Sequence, residues 1–284
     1  MNYEQIDNLP REYTKNKIKE FLKEDIPRGD LTTDNIYNVK EIVEAQIQAG
    51  EQLIFCGKNI VMNTFDKGCK VKKISEDGKN YKKNQIIGII SGPATEILKK
   101  ERVMLNLLQR LSSISTKTYR VAQKAKKYNI KLLDTRKTTP GIRLFEKYAV
   151  SVGGGENHRL DLSDGILIKD NHIIHSTITE TLLLAQRERK HKIEVEVDNL
   201  KQLSAVLPLM PDGVLLDNFK PEQIVKAINI IKAHPSSHQI FIEASGGINK
   251  QSLNKYLIKD LSAISIGALT HQAKSKNIKL TKKN

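Results

Sequence analysis

Residues 192–198 read KIEVEVD and residues 213–218 read GVLLDN. Each is a short apolar run, and a helical stretch separates them. The pattern recurs at IKLLD (130–134), GILIKD (165–170), QIFIEAS (239–245) and SAISIGA (262–268). Strand–helix alternation of this kind builds parallel βαβ units. Every run ends in polar or small residues: Asp134-Thr-Arg-Lys, Lys169-Asp-Asn, Glu196-Val-Asp, Asp217-Asn, Ser245-Gly-Gly and Gly267-Ala. In a parallel barrel all strand C-termini open on one face, and the active site is built there. Six strands thus deliver chemistry to one rim. The segment 113–270 is short for a complete barrel of about 250 residues. A reduced or open α/β barrel is expected, with an open doubly wound sheet as the alternative.

Upstream the texture differs. Residues 14–24 (TKNKIKEFLKE) predict a helix with Ile18, Phe21 and Leu22 on one face. Between 40 and 95, short apolar runs divided by Gly, Asp and Asn predict strands and turns. Residues 96–111 (EILKKERVMLNLLQRL) predict a helix buried on most sides, with Arg102, Asn106 and Gln109 on its polar margin. The change of texture divides the chain into 1–112 and 113–270.

The 284 residues include 47 Lys and Arg against 32 Asp and Glu, a net charge of +15. Such an excess raises the question of a nucleic-acid partner. Only ten of the basic residues are Arg, the lysines are dispersed, and Trp is absent. That pattern reads as a lysine-coated surface rather than a nucleic-acid footprint. No stretch approaches the roughly 18 apolar residues of a membrane span, and the first 25 residues have no signal-like apolar core. Cys56 and Cys69 form no metal-binding pair or disulfide framework, which fits a cytoplasmic setting.

The stretch 134–172 is densest in chemistry. Arg136, Lys137, Arg143, Lys147, His158, Arg159 and Lys169 fall within it, around the glycines 153–155. Cations at strand ends beside such a loop make a receptor for a small polyanion, unless they pair with Asp134, Glu146, Asp161 and Asp164. Glu194 and Glu196 share a strand face, and Asp217 ends the next strand. Glu196 and Asp217 suit Mg2+, which takes one or two carboxylates plus substrate phosphates, unless they pair with Lys169 or the arginines. Ser245-Gly246-Gly247 and Gly267-Ala268 follow the last two strands, where barrels often hold a phosphate. His271 reads as a core or capping residue. No Ser/His/Asp or Cys/His nucleophile set is evident. The chemistry expected is transfer between polyanions, helped by electrostatics.

The motifs DTRKTTPG, EKYAV, GGGENHR, LIKDNHI, EVEVD, LLDN, EASGGI and ISIGALTH resemble those of the nicotinate-nucleotide pyrophosphorylases (carboxylating), also called quinolinate phosphoribosyltransferases. EDIPRGDLTT and ERVMLNLLQ extend the resemblance over nearly the whole chain. It implies a type II phosphoribosyltransferase fold: an N-terminal α/β sandwich (1–112), an incomplete α/β barrel (113–270), and a tail (271–284) returning to the first domain. It implies that quinolinate and phosphoribosyl pyrophosphate give nicotinate mononucleotide, pyrophosphate and CO2, with Mg2+, in NAD biosynthesis. It also implies a homodimer or a multiple of dimers. Thr135, Arg136, Lys137, His158, Arg159 and Lys169 match the quinolinate-binding set. Arg102 matches an arginine donated by the neighbouring subunit. Glu196 and Asp217 match carboxylates near ribose and Mg2+, and with Lys169 they form the expected catalytic group. Ser245, Gly246, Gly247, Ile266, Gly267 and Ala268 match the 5′-phosphate loops. Asp161 stands where the family usually has Gly. A paralogue of the same fold acting on another base is the nearest rival, and the TRK, NHR and KDNH sets favour quinolinate.

Overall fold

The computed structural model describes residues 1, 3–37, 41–65, 68–187, 190–235, 239–249 and 251–282. In chain order, the first elements are α1 (Arg11–Asp25), α2 (Leu31–Ile36), β1 (Ile42–Ala49), β2 (Leu53–Ile54) and α3 (Lys58–Thr64). Then come β3 (Lys70–Ile74), β4 (Asn80–Tyr81), β5 (Ile86–Pro93) and the long helix α4 (Ala94–Ala125). The alternating part runs β6 (Lys131–Leu133), α5 (Arg143–Val152), β7 (Ile166–Ile168), α6 (Ile178–Gln186), β8 (Ile193–Val197) and α7 (Leu200–Val206). It continues with β9 (Gly213–Asp217), α8 (Pro221–Ala233), β10 (Phe241–Ser245), α9 (Leu253–Tyr256), β11 (Ala263–Ser265) and α10 (Ala268–His271). The last strand is β12 (Ile278–Lys282).

Two compact units form. One holds Ile6–Tyr119, Leu144–Gly154 and Gln272–Asn284. The other holds Met1–Gln5, Arg120–Arg143 and Gly155–His271. Each compact unit is thus assembled from three separate stretches of the chain. Residues 283 and 284 of the expected tail lie outside the described residues.

The first unit is built on an antiparallel sheet of order β12-β1-β5-β3. Alternate residues of β1, Ala45, Ile47 and Ala49, are buried, as a sheet with one covered face requires. Ala49 pairs with Ile278 of β12. Helix α4 buries Met104, Leu105, Leu108, Leu111 and Ile114. It is longer than its apolar run implies: the hydroxyls of SSIST bond both to β2 and its flank, at Ile54 and Cys56, and to the preceding helical turn. Thr116 Oγ1 donates to the Ser112 carbonyl at 2.5 Å, and Ser115 Oγ donates to the same carbonyl at 3.2 Å. Both are side-chain bonds to the preceding turn, which such residues form when they sit in a helix.

The second unit is a six-stranded parallel sheet of order β6-β11-β10-β9-β8-β7. All six strands expected from the sequence form. The first strand lies beside the last, and β6 and β7 remain as edges, so the sheet is open as its short length predicts. Val195, Val197, Val214, Leu216, Ile242 and Ala244 are buried in its core. Helix starts are capped locally: Thr177 Oγ1 accepts the Glu180 N–H at 3.2 Å, and Asn199 Oδ1 accepts the Gln202 N–H at 2.9 Å. Among the described residues, no helix is long and apolar enough to cross a membrane.

Candidate active site

Strand periodicity positions the site. Leu167 with Lys169, Leu215 with Asp217, and Glu243 with Ser245 lie two residues apart and share a face. All six line one cavity of about 490 Å3. Thr135, Arg136 and Lys137, which follow β6, line it too, as do His158, Arg159 and Glu196. Asn218, Gly246, Gly247 and Ser265 complete the lining.

The cations are set on a rigid frame. Asp134 is fully buried; its carboxylate accepts the His158 N–H at 2.9 Å and the Asn157 Nδ2–H at 2.6 Å. It anchors the segment before Arg159. Arg159 is buried, and its Nη1 donates to the Gly165 carbonyl at 3.0 Å. Burial lowers the Arg159 pKa, and the neighbouring Arg136 charge lowers it further. Among the described residues, the Arg136 Nε–H is buried with no hydrogen-bond partner in the protein. Buried donors are normally satisfied, so this one marks a place for an acceptor from outside the chain.

Lys169 Nζ pairs with Glu196 Oε2. Burial raises the Glu196 and Asp217 pKa values from those of ordinary carboxylates, and Lys169 opposes both shifts. At the end of β9, Asn218 takes a positive φ of 55° and its N–H donates to the Ser245 carbonyl at 2.9 Å. Gly246 has φ +90°, and a Cβ there would lie 2.2 Å from Asn218 Oδ1. Only glycine lets the two loops approach so closely.

His158 has both ring nitrogens engaged. Nδ1 accepts the Arg159 N–H at 2.7 Å. Nε2 lies 3.3 Å from Glu194 Oε2 and 3.7 Å from Glu243 Oε2. The sequence reading grouped His158 with the cations; in the fold its ring is held between the Arg159 N–H and two buried carboxylates. The three side chains bring possible ligand atoms within 4.8 Å of one another. A metal-bound histidine donates its other N–H instead, so the group does not fit a metal. Burial, and then the Glu194 charge, push the Glu243 pKa up to about 8.

Four expected residues stand apart from the lining. Ile266 is buried, with its N–H donating to the Leu133 carbonyl at 3.0 Å. Gly267 backs the loop after β6, where a Cβ would meet Lys137 Cδ at 2.9 Å. Ala268 opens α10. Arg102 lies exposed on α4, in the other unit. Of the remaining basic residues, Arg143 bonds Thr138 Oγ1 at 3.0 Å, and Lys147 is buried in the first unit. Glu243 and Ser265 were legible in principle, since they share strand faces with Ser245 and Gly267. Tyr3, whose hydroxyl donates to Glu194 Oε2 at 2.9 Å, had no sequence signal.

An open parallel α/β sheet whose strand ends carry clustered cations, two carboxylates and a glycine loop defines a receptor for small polyanions. The chain belongs to the quinolinate phosphoribosyl transferase family: the family's C-terminal domain matches residues 114–281 and its N-terminal domain residues 30–112. The probable nicotinate-nucleotide pyrophosphorylase [carboxylating] of Methanocaldococcus jannaschii is 40% identical over 279 residues, covering 95% of this chain and 97% of that protein. The Bacillus subtilis protein of the same description is 39% identical, covering 99% and 94%. Among solved structures, the nicotinate-nucleotide pyrophosphorylase of Francisella tularensis superposes with a TM-score of 0.91 at 34% identity, covering 99% of this chain and all of that one. NadC from Streptococcus pyogenes gives 0.89 at 33% identity, covering 98% and 99%.

Proposed function

We propose that the cavity transfers the phosphoribosyl group of phosphoribosyl pyrophosphate to quinolinate, with decarboxylation, giving nicotinate mononucleotide, pyrophosphate and CO2. The chain is an enzyme of its family, a phosphoribosyltransferase of NAD biosynthesis. The observation that carries the reading is the meeting of Arg136, Lys137, Arg159 and Lys169 with Glu196 and Asp217 around one cavity.

The residue types follow from the substrates. Quinolinate brings two carboxylates and its partner brings phosphates, so cations must offset their repulsion. Arg136 offers its open Nε–H, Arg159 a guanidinium fixed from behind, and Lys137 and Lys169 point charges. The backbones of Ser245-Gly246-Gly247 and of Ile266-Gly267-Ala268, the loops after β10 and β11, hold the 5′-phosphate. The pyridine nitrogen attacks ribose C1 as the bond to pyrophosphate breaks. Positive charge develops on the ribose, and Glu196 and Asp217 stabilise it. The nitrogen is then a pyridinium. When the adjacent ring carbon–carboxylate bond breaks, its electron pair stays on that carbon beside the positive nitrogen, and a proton from water replaces CO2. Lys169 and Arg136 orient the departing carboxylate. No side chain forms a covalent bond.

Glu196 and Asp217 fit Mg2+: they are hard oxygen donors on neighbouring strands, and both are held partly desolvated, a state that a cation relieves. Mg2+ when bound offsets phosphate charge on the leaving group. A second copy of the chain completes the site with its Arg102, which is exposed on α4 in this copy. The setting is the cytoplasm, where thiols such as Cys56 and Cys69 stay reduced. The test offers quinolinate and nicotinate separately with phosphoribosyl pyrophosphate and Mg2+. Turnover of quinolinate alone supports the reading. Turnover of nicotinate alone overturns it in favour of a paralogue that needs one carboxylate.

A further inference from the structure

Met1–Gln5 belong to the parallel-sheet unit, apart from the residues that follow them. Two of their side chains grip consecutive residues of the loop before β7. The Gln5 amide clasps Asn157: Nε2 donates to the Asn157 carbonyl at 3.1 Å, and Oε1 accepts the Asn157 N–H at 2.8 Å. The Tyr3 ring stacks on the His158 imidazole, with centroids 4.5 Å apart and 22° between planes. The Tyr3 hydroxyl donates to Glu194 Oε2, the oxygen that faces His158 Nε2. Gly165 leaves room for this ring, since a Cβ there would lie 3.1 Å from Tyr3 Cε1.

The contacts form one chain toward the cavity. Tyr3 and Glu194 set the plane of the imidazole. The imidazole accepts the Arg159 N–H through Nδ1. Arg159, whose side chain is tied to the Gly165 carbonyl, lines the cavity with His158. Neither Tyr3 nor Gln5 lines the cavity. A binding group works only when its supporting shell holds it within a fraction of an ångström. Gln5 and Tyr3 supply that support together with Asp134.

We propose that the segment carrying Tyr3 and Gln5 is a positioning strap for the His158–Arg159 corner of the quinolinate site. This rests on the reading that the corner binds quinolinate. Tyr3 and Gln5 touch no substrate and act through His158 and Asn157. Their loss loosens the hold on one substrate and leaves the phosphate loops after β10 and β11 intact.

The test compares four variants of the full chain with the wild type: Tyr3→Phe, Gln5→Ala, removal of residues 1–5, and Arg159→Lys. KM for each substrate, kcat and the thermal midpoint are measured. Tyr3→Phe keeps the ring stack and removes one hydrogen bond. Its quinolinate KM should rise about three- to tenfold, the scale of one lost hydrogen bond. The KM for phosphoribosyl pyrophosphate should stay within twofold, a split that a purely structural role would not produce. Gln5→Ala should behave alike, and removal of both contacts should do more. An unchanged quinolinate KM in all three strap variants, with a raised one in Arg159→Lys, overturns the strap alone. Equal movement of both KM values together with the thermal midpoint also overturns it. An unchanged quinolinate KM in Arg159→Lys overturns the assignment of that corner, and the strap's role with it.

Discussion

His158 accepts, through Nδ1, the backbone N–H of Arg159 at 2.7 Å. The imidazole thereby fixes the backbone of the next cavity-lining cation. His158→Ala removes that acceptor and is expected to lower kcat/KM for quinolinate. His158→Asn places an amide oxygen near the Nδ1 position and should recover most of the loss. Steady-state kinetics check this; equal losses in the two variants would mean that the bond to Arg159 is not what the ring supplies.

Lys169 is the cation paired with Glu196 and lies beside Asp217 in the same cavity. Lys169→Ala removes a positioned charge and leaves Glu196 uncompensated. Turnover should fall more than about 100-fold, the scale of losing one preorganised electrostatic group. A near-normal kcat would remove Lys169 from the catalytic group.

Glu243 is buried on β10 with its pKa pushed up to about 8. Its unfolded value is that of an ordinary glutamate, so between pH 4.5 and 8 the folded state holds a proton that the unfolded state has lost. Stability from this group therefore falls as pH rises, by at most about 1.4 kcal/mol per pH unit, and levels off above the folded pKa. Glu243→Gln removes the dependence. Urea unfolding from pH 5 to 9 should show the variant gaining on the wild type up to about pH 8. A constant difference across that range would contradict the shift.

The two glycines after β10 should respond differently. Gly246 has φ +90° and a Cβ there would lie 2.2 Å from Asn218 Oδ1, whereas Gly247 has φ +60° and open space around it. Gly246→Ala carries both strain and collision, and should raise the KM for phosphoribosyl pyrophosphate about tenfold or more, on the scale of a forced backbone conformation. Gly247→Ala carries strain alone and should be milder. Kinetics with varied phosphoribosyl pyrophosphate separate them; a reversed order would contradict the close approach of the two loops.

The strand-end chemistry was legible because period two and strand–helix alternation are local. Lys169, Glu196, Asp217 and Ser245 fall where those patterns end, and all line the cavity. Helix α3 was not legible. Its start depends on Asp77, twenty residues away in sequence, whose Oδ1 accepts the Gly57 and Lys58 N–H groups at 2.7 and 2.9 Å. A cap supplied over that distance leaves no local signature. Helix α4 outran its expected end where hydroxyl residues that often break helices found distant partners, Ser115 at the Ile54 carbonyl and Thr116 at the Ile54 N–H. Tyr3 was invisible for a similar reason: its partners, Glu194 and His158, are more than 150 residues away, and only the fold brings them together.

The central claim is that this cavity joins phosphoribosyl transfer to decarboxylation of quinolinate. The most direct measurement supplies purified protein with phosphoribosyl pyrophosphate, Mg2+ and quinolinate labelled in the carboxylate next to the ring nitrogen, and follows labelled CO2 and nicotinate mononucleotide together. Equal amounts of the two, both abolished by Lys169→Ala, are the predicted result. Folded protein that forms neither product, or forms a nucleotide that keeps its label, would contradict the account.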